Sequence, residues 1–203
     1  MLLSLDTSAG SSAAVLDGDS VLAERSVTDT MRHAEVVGEL IAGVLEDAGV
    51  GAHEIEDVVA GMGPGPFTGL RVGIAAAKAF AFARGRHIVP IVSHDAVAFE
   101  AWDGGARGSV LVVTDARRRE LYWTAYSLTE SGAERVDGPG LSRPDDLPHP
   151  EAARIDAAVV SAGALGRVAV LRSRAGMPAE AEDALYLRSP DVTLSTGRKR
   201  VTA

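Results

Sequence analysis

Three stretches of this chain combine residue types that can do chemistry. Asp6-Thr7-Ser8 sets a carboxylate and two hydroxyls at the end of an apolar run. Such a triplet can hold a magnesium–phosphate group, or it can simply close an Asx turn. Gly63-Pro64-Gly65-Pro66-Phe67-Thr68-Gly69 stands between a short apolar run and a helical pattern. Its glycines let the backbone approach an anion, and the helix start behind it offers free N–H groups and a positive dipole end. No Lys-Ser or Lys-Thr pair follows Gly69, so this is not a Walker loop. The plain alternative is a tight strand-to-helix connection whose prolines fix φ. Asp6, Thr7, Gly63 and Gly65 are the candidate phosphate-facing residues, a vestige if no nucleotide binds. The third stretch, Arg117-Arg118-Arg119, can meet phosphate or lie solvated beside Asp115.

Metal and nucleophile chemistry finds little support. There is no cysteine, which excludes disulfides, thiolate nucleophiles and Cys-ligated zinc. His33-Ala34-Glu35 matches the opening of a zinc deaminase signature, but the paired cysteines are lacking. A helical metal pair with His33 needs a histidine four residues on, where Val37 stands. His53, His87, His94 and His149 are scattered and read as solvated or capping residues in loops and strand edges. No Gly-x-Ser-x-Gly elbow is present. No catalytic residue, metal ligand or cofactor is therefore expected.

The elements that must position these residues read as α/β. Runs at 2–7, 13–16 and 21–27 predict three strands, the last two joined by Asp17-Gly18-Asp19. A helix is predicted over 32–48, a strand over 58–62, a helix over 70–84, a strand over 88–92 and a short helix over 95–102. Strands at 110–114 and 121–127 follow the glycines near 104–108. The proline-rich stretch 138–150 reads as a surface loop, 157–161 and 168–171 as strands, and 179–185 as a short helix. In the first long helix Val36, Val37, Leu40 and Leu45 span roughly 180°, against the arc of about 100° that a surface helix needs for its own core. The second has Arg71 and Lys78 on one stripe and small or apolar residues elsewhere, so it reads as buried nearly all round. Contact with a second protein, or the two helices burying each other, would both produce this pattern.

Composition bounds the partners. The 203 residues are 46% hydrophobic and 24% charged, an ordinary globular balance that suits one domain or two small lobes. The net charge of −8 lacks the basic excess of a free-standing nucleic-acid binder. No apolar run approaches the roughly 18 residues of a membrane span, and Met1–Leu5 has no basic start, so a soluble, cytoplasmic protein with no membrane contact is expected.

Taken together, Asp6-Thr7-Ser8, the run from Gly63 to Gly73, Asp115-Ala116-Arg117 before Glu120-Leu121-Tyr122, and Tyr186-Leu187-Arg188 resemble the TsaB (YeaZ) family. The likeness is strong over 1–127, weak over 128–180 and returns at Tyr186-Leu187-Arg188. It implies an actin-like ATPase (ribonuclease H-like) fold of two lobes, the second reduced: 1–104, then 105–182, with a helix or tail over 183–203 returning toward the first lobe. It also implies a non-catalytic protein of threonylcarbamoyladenosine synthesis on tRNA. Such a protein pairs with the transferase TsaD through the lobe-one helices, recruits the ATPase TsaE with ATP, forms homodimers when alone, and meets tRNA only within the complex. Val36, Leu40, Gly43, Gly73, Ala76, Ala77 and Phe80 are the residues expected at that helix surface. The competing reading is a small kinase or ATPase of the same fold, holding Mg-ATP through Asp6 and the 61–69 loop.

Overall fold

The computed structural model describes residues 1–29 and 33–188. The first sheet is built from β1 (Leu2–Asp6), β2 (Ser11–Asp17), β3 (Ser20–Val27), β4 (Asp57–Gly61) and β5 (Ile88–Ile91). Their order is β3-β2-β1-β4-β5; the first three strands are antiparallel, and β4 and β5 join parallel. This is the expected ribonuclease H-like order. Alternation along β1 and β2 divides the core. Leu3, Leu5, Ala13 and Val15 face one side, where α1 (His33–Ala48) and α2 (Phe67–Ala83) bring Leu40, Val44, Leu70 and Ala77. Leu2, Ala14 and Leu16 face the other side, toward α3 (Ser93–Asp103) and α4 (Ala162–Arg174).

The second sheet contains β6 (Gly108–Asp115), β7 (Leu121–Thr129), β8 (Gly132–Ser142) and β9 (Ala153–Asp156) in the order β8-β7-β6-β9. It repeats the first four places of sheet one: an antiparallel meander, then a parallel strand beside the first. Among the described residues it has no fifth strand. Where α1 follows the meander in lobe one, lobe two has a 3-10 turn at Pro144–Asp146. That is the physical sense in which the second lobe is reduced. Both α3 and α4 lie between the sheets, so Val110, Val112 and Tyr126 of lobe two share one core with Leu16 and Val59 of lobe one.

Four sequence expectations need correction. The 138–150 stretch is not all loop, because β8 runs through Gly138-Pro139-Gly140. An edge strand tolerates proline, and the glycines are needed because Cβ atoms there would strike the Trp123 ring. The strand is at Ala153–Asp156 rather than 157–161. Residues 168–171 belong to α4, whose Gly163 and Gly166 mimic a helix breaker. They are small because α4 lies close on the first sheet: a Cβ on Gly166 would come within 2.7 Å of Leu16. Finally, 179–185 is not helical. Arg32 and the basic run Arg198-Lys199-Arg200 lie outside the described residues.

Candidate functional site

At the end of β1 the backbone turns sharply, and Asp6 is held inward. Its Oδ1 accepts from the Ser8 N–H at 2.7 Å and the Ser8 hydroxyl at 2.6 Å. Its Oδ2 is buried and has no hydrogen-bond partner among the described residues. Burial pushes the Asp6 carboxyl above its ordinary pKa, against the pull of the Ser8 contacts. Thr7 is equally buried and donates its hydroxyl to the Gly69 carbonyl at 2.8 Å. The glycine loop closes onto this corner. A Cβ on Gly65 would lie 2.8 Å from Ser8 Cα, and one on Gly69 would lie 2.7 Å from the Thr7 carbonyl oxygen. Gly63 is cis to Pro64, has φ +94°, and donates its N–H to Ser93 Oγ at 3.0 Å. Asp6, Thr7, Gly63 and Gly65 are thus near neighbours at one corner, with Asp6 Oδ2 turned toward Gly61 and Ser93 and Gly65 packed on Ser8.

The histidines also face inward more than expected. His33, at the start of α1, shares a 2.7 Å hydrogen bond with Ser11 Oγ. Burial and the charge of Arg117 hold its pKa below the ordinary value. His94 is not a solvated residue at a strand edge. It lies in the first turn of α3, fully buried, with its two ring nitrogens on Thr124 Oγ1 at 2.8 Å and Thr114 Oγ1 at 2.9 Å. Among the described residues no three metal-binding side chains converge.

The residues expected at a helix surface divide into two sets. Val36 and Leu40 are buried but line a groove of about 460 Å³ between α1 and β3, together with Arg25 and Glu39. Gly43 lies under the Arg25 side chain, which Asp47 holds at 2.6 Å. Gly73 packs on Thr7, and Ala77 is 0% exposed in the core. Ala76 and Phe80 are half-buried at its margin. Nor is α2 buried all round: Arg71, Ala75, Lys78 and Phe82 form an exposed stripe, with Phe82 85% exposed. Phe82 was missed, although the signal existed. It falls eleven residues after Arg71 and four after Lys78, on the charged side of the wheel.

The segment after α4 runs across both lobes. Glu182 meets Lys78 at 3.3 Å, the Leu185 N–H donates to the Met62 carbonyl at 2.8 Å, and the Tyr186 ring rests 4.9 Å from Phe67. Arg71 covers the same phenyl ring at 4.2 Å. Arg188 then returns to lobe two, where it meets Glu120 at 2.8 Å and the Ala116 carbonyl at 3.0 Å. Both contacts brace the β6–β7 turn, in which Arg117, Arg118 and Arg119 all take left-handed φ angles of 64°, 53° and 62°. Each such residue costs roughly 1–2 kcal/mol. The Asp115 carboxylate helps hold the turn by accepting the Arg117 N–H at 2.8 Å.

Comparison with known proteins bears on this arrangement. The profile of the family described as "TsaD: tRNA N6-adenosine threonylcarbamoyltransferase" matches residues 21–181. An uncharacterized protein of Mycobacterium tuberculosis is 37% identical over 84% of this chain and 82% of its own length. A Mycobacterium leprae relative is 34% identical over 94% of this chain, which spans 55% of that protein. The Haemophilus influenzae protein named "tRNA threonylcarbamoyladenosine biosynthesis protein TsaB" is 34% identical over 61% of this chain and 52% of its own. The solved structure of YeaZ from Pseudomonas aeruginosa superposes on 92% of this chain and 99% of its own, with a TM-score of 0.74 and 25% identity.

Proposed function

The chain belongs to the TsaB (YeaZ) family, and we propose that it is a non-catalytic subunit in the synthesis of threonylcarbamoyladenosine on tRNA. It pairs with a TsaD-type transferase through the lobe-one helices and helps recruit a TsaE-type ATPase. The observation that carries this reading is the closed corner at Asp6. In a kinase of this fold the first-strand carboxylate must face metal and phosphate. Here it is buried and points into protein, with Gly61 and Ser93 against its Oδ2, while Gly65 and Gly69 close over Ser8 and Thr7. The exposed Phe82 stripe on α2 supports the pairing, because a large apolar ring left in water gains by burial against a partner.

Three measurements test the proposal. The chain is mixed with TsaD- and TsaE-type proteins from one source, with and without ATP, and tRNA modification is followed. Pairing with the transferase and a rise in modification on adding the chain are expected. Titration of the lone chain with Mg-ATP should give no heat, and turnover there would install the kinase reading instead. The lone chain should not bind tRNA at submicromolar concentration in physiological salt, because a chain of net charge −8 has no basic excess with which to displace counterions from the RNA.

A further inference from the structure

Between α3, α4, β7 and β8 lies a cavity of about 710 Å³. Its size falls within the roughly 300–1,000 Å³ of small-molecule sites. One wall is apolar, formed by Phe99, Trp102, Val168, Leu171 and Met177. Leu171 and Met177 remain 40% and 52% exposed, so this wall lacks a cover. Four charged side chains converge on the cavity: Asp95, Arg135, Arg172 and Glu180.

Their roles differ. Asp95 is framework. Its Oδ1 accepts from the Tyr126 hydroxyl at 2.7 Å and Arg135 Nε at 3.2 Å, and its Oδ2 accepts from Arg135 Nη2 at 2.7 Å. Burial and the nearby Asp95 carboxylate push the Tyr126 phenol well up, so it stays a donor. Glu180 is held differently: it sits on the irregular segment after α4 and, among the described residues, only its Oε1 is used, accepting from Arg172 Nη1 at 2.6 Å and Arg135 Nη2 at 3.1 Å. Among the described residues Arg172 uses no other guanidinium nitrogen. Two arginines against one fixed carboxylate leave a single positive charge, and a loop-borne carboxylate answers it.

We infer that this cavity binds a small amphipathic carboxylate, with its apolar body on Trp102, Leu171 and Met177 and its charge on Arg135 and Arg172, where the chain's own Glu180 stands in for it. Guanidinium groups match a carboxylate in geometry as well as charge. A monoanion suits the site better than a phosphate dianion, because Asp95 and the exposed Glu134 also line the cavity. The inference is independent of the subunit reading and does not need a partner present.

The test is calorimetric titration of the full chain with 3-phenylpropionate and with its neutral amide. The acid should bind at least about tenfold tighter than the amide, as expected for a charge-assisted contact. Arg172→Gln should bring the acid down to the level of the amide. Glu180→Gln, which removes the competing charge and keeps the side-chain length, should tighten the acid several-fold. Thermal melts of both variants report that the fold is kept. Equal binding of acid and amide, no acid binding at about 1 mM, or an affinity unmoved by Glu180→Gln would each overturn the inference.

Discussion

His94 illustrates how one residue can tie lobe one to lobe two and carry a pH dependence with it. It projects from α3 between Thr114 of β6 and Thr124 of β7, and its burial, with the charge of Arg135, lowers its pKa from 6.5 to about 3. The unfolded chain takes up this proton below about pH 6.5 and the folded chain does not, so stability falls as pH drops from there toward 3. Fully expressed, a shift of this size costs the folded state about 5 kcal/mol at the acid end. Denaturant titrations of parent and His94→Gln at pH 7, 5.5 and 4 check this. The variant should start less stable, because one amide replaces a well-seated ring, yet lose less stability toward pH 4. Parallel curves for the two proteins would remove His94 as the cause. Its sequence neighbourhood, Val92-Ser93-His94-Asp95, gave no hint of this burial, because both partners are hydroxyls supplied by strands 20 and 30 residues away.

At the scale of elements, α2 separates core from docking surface residue by residue. Ala77 is 0% exposed against the first sheet, so Ala77→Glu buries an unpaired charge and should cost several kcal/mol and the cooperative melt. Phe82 is 85% exposed, so Phe82→Glu should melt within about 0.5 kcal/mol of the parent yet lose pairing with the transferase. Circular dichroism melts and gel filtration with the TsaD-type protein give the two readouts. A Phe82→Glu chain that still co-elutes would move the docking surface off this stripe. Strand β1, the hairpin at Gly18 and α1 were legible from their apolar patterns and turn residues, and α2 from its length and its small, apolar composition. In the second lobe β6 and β7 were legible too, but β8, β9 and α4 were not, for three separate physical reasons. In β9, Ala-Arg-Ile-Asp lies at a sheet edge with little to bury. Strand β8 carries glycines and a proline to make room for Trp123. In α4, packing across the first sheet on one side and on α3 on the other leaves an apolar stretch with no marked period, interrupted by close-packing glycines. The Asp6 corner was legible as a cluster but not in its direction, since nothing in the triplet says whether a carboxylate faces a cleft or its own backbone.

For the molecule as a whole, the question is what keeps two lobes with unequal sheets at a fixed angle. The shared core around α3 and α4 does most of this, since apolar side chains of both sheets bury one another there. The extended segment from Glu180 to Arg188 adds a strap on the outside, tied to lobe two at Arg135 and Arg172, to lobe one at Lys78, Met62 and Phe67, and again to lobe two at Glu120. It has no helix or strand of its own, so its order depends on these ties. The pair between Lys78 and Glu182 is about half exposed and contributes at most about 1 kcal/mol. The Arg188–Glu120 pair is better covered, at 28% and 29% exposure, and also reaches a backbone carbonyl. It should therefore hold more firmly under screening by salt. Replacing Tyr186 and Arg188 together by Ala should free the strap at both ends of its lobe-one crossing. Amide exchange should then quicken about tenfold or more around 63–67 and 115–120, while the amides of β1 and β4, sealed in the core, keep the rates of the parent. About 1 M salt on the parent should reproduce part of the effect at Glu182 and little at Arg188. Uniformly faster exchange would mean that the strap supports global stability. Unchanged exchange at 115–120 would mean that the left-handed arginine turn holds without it.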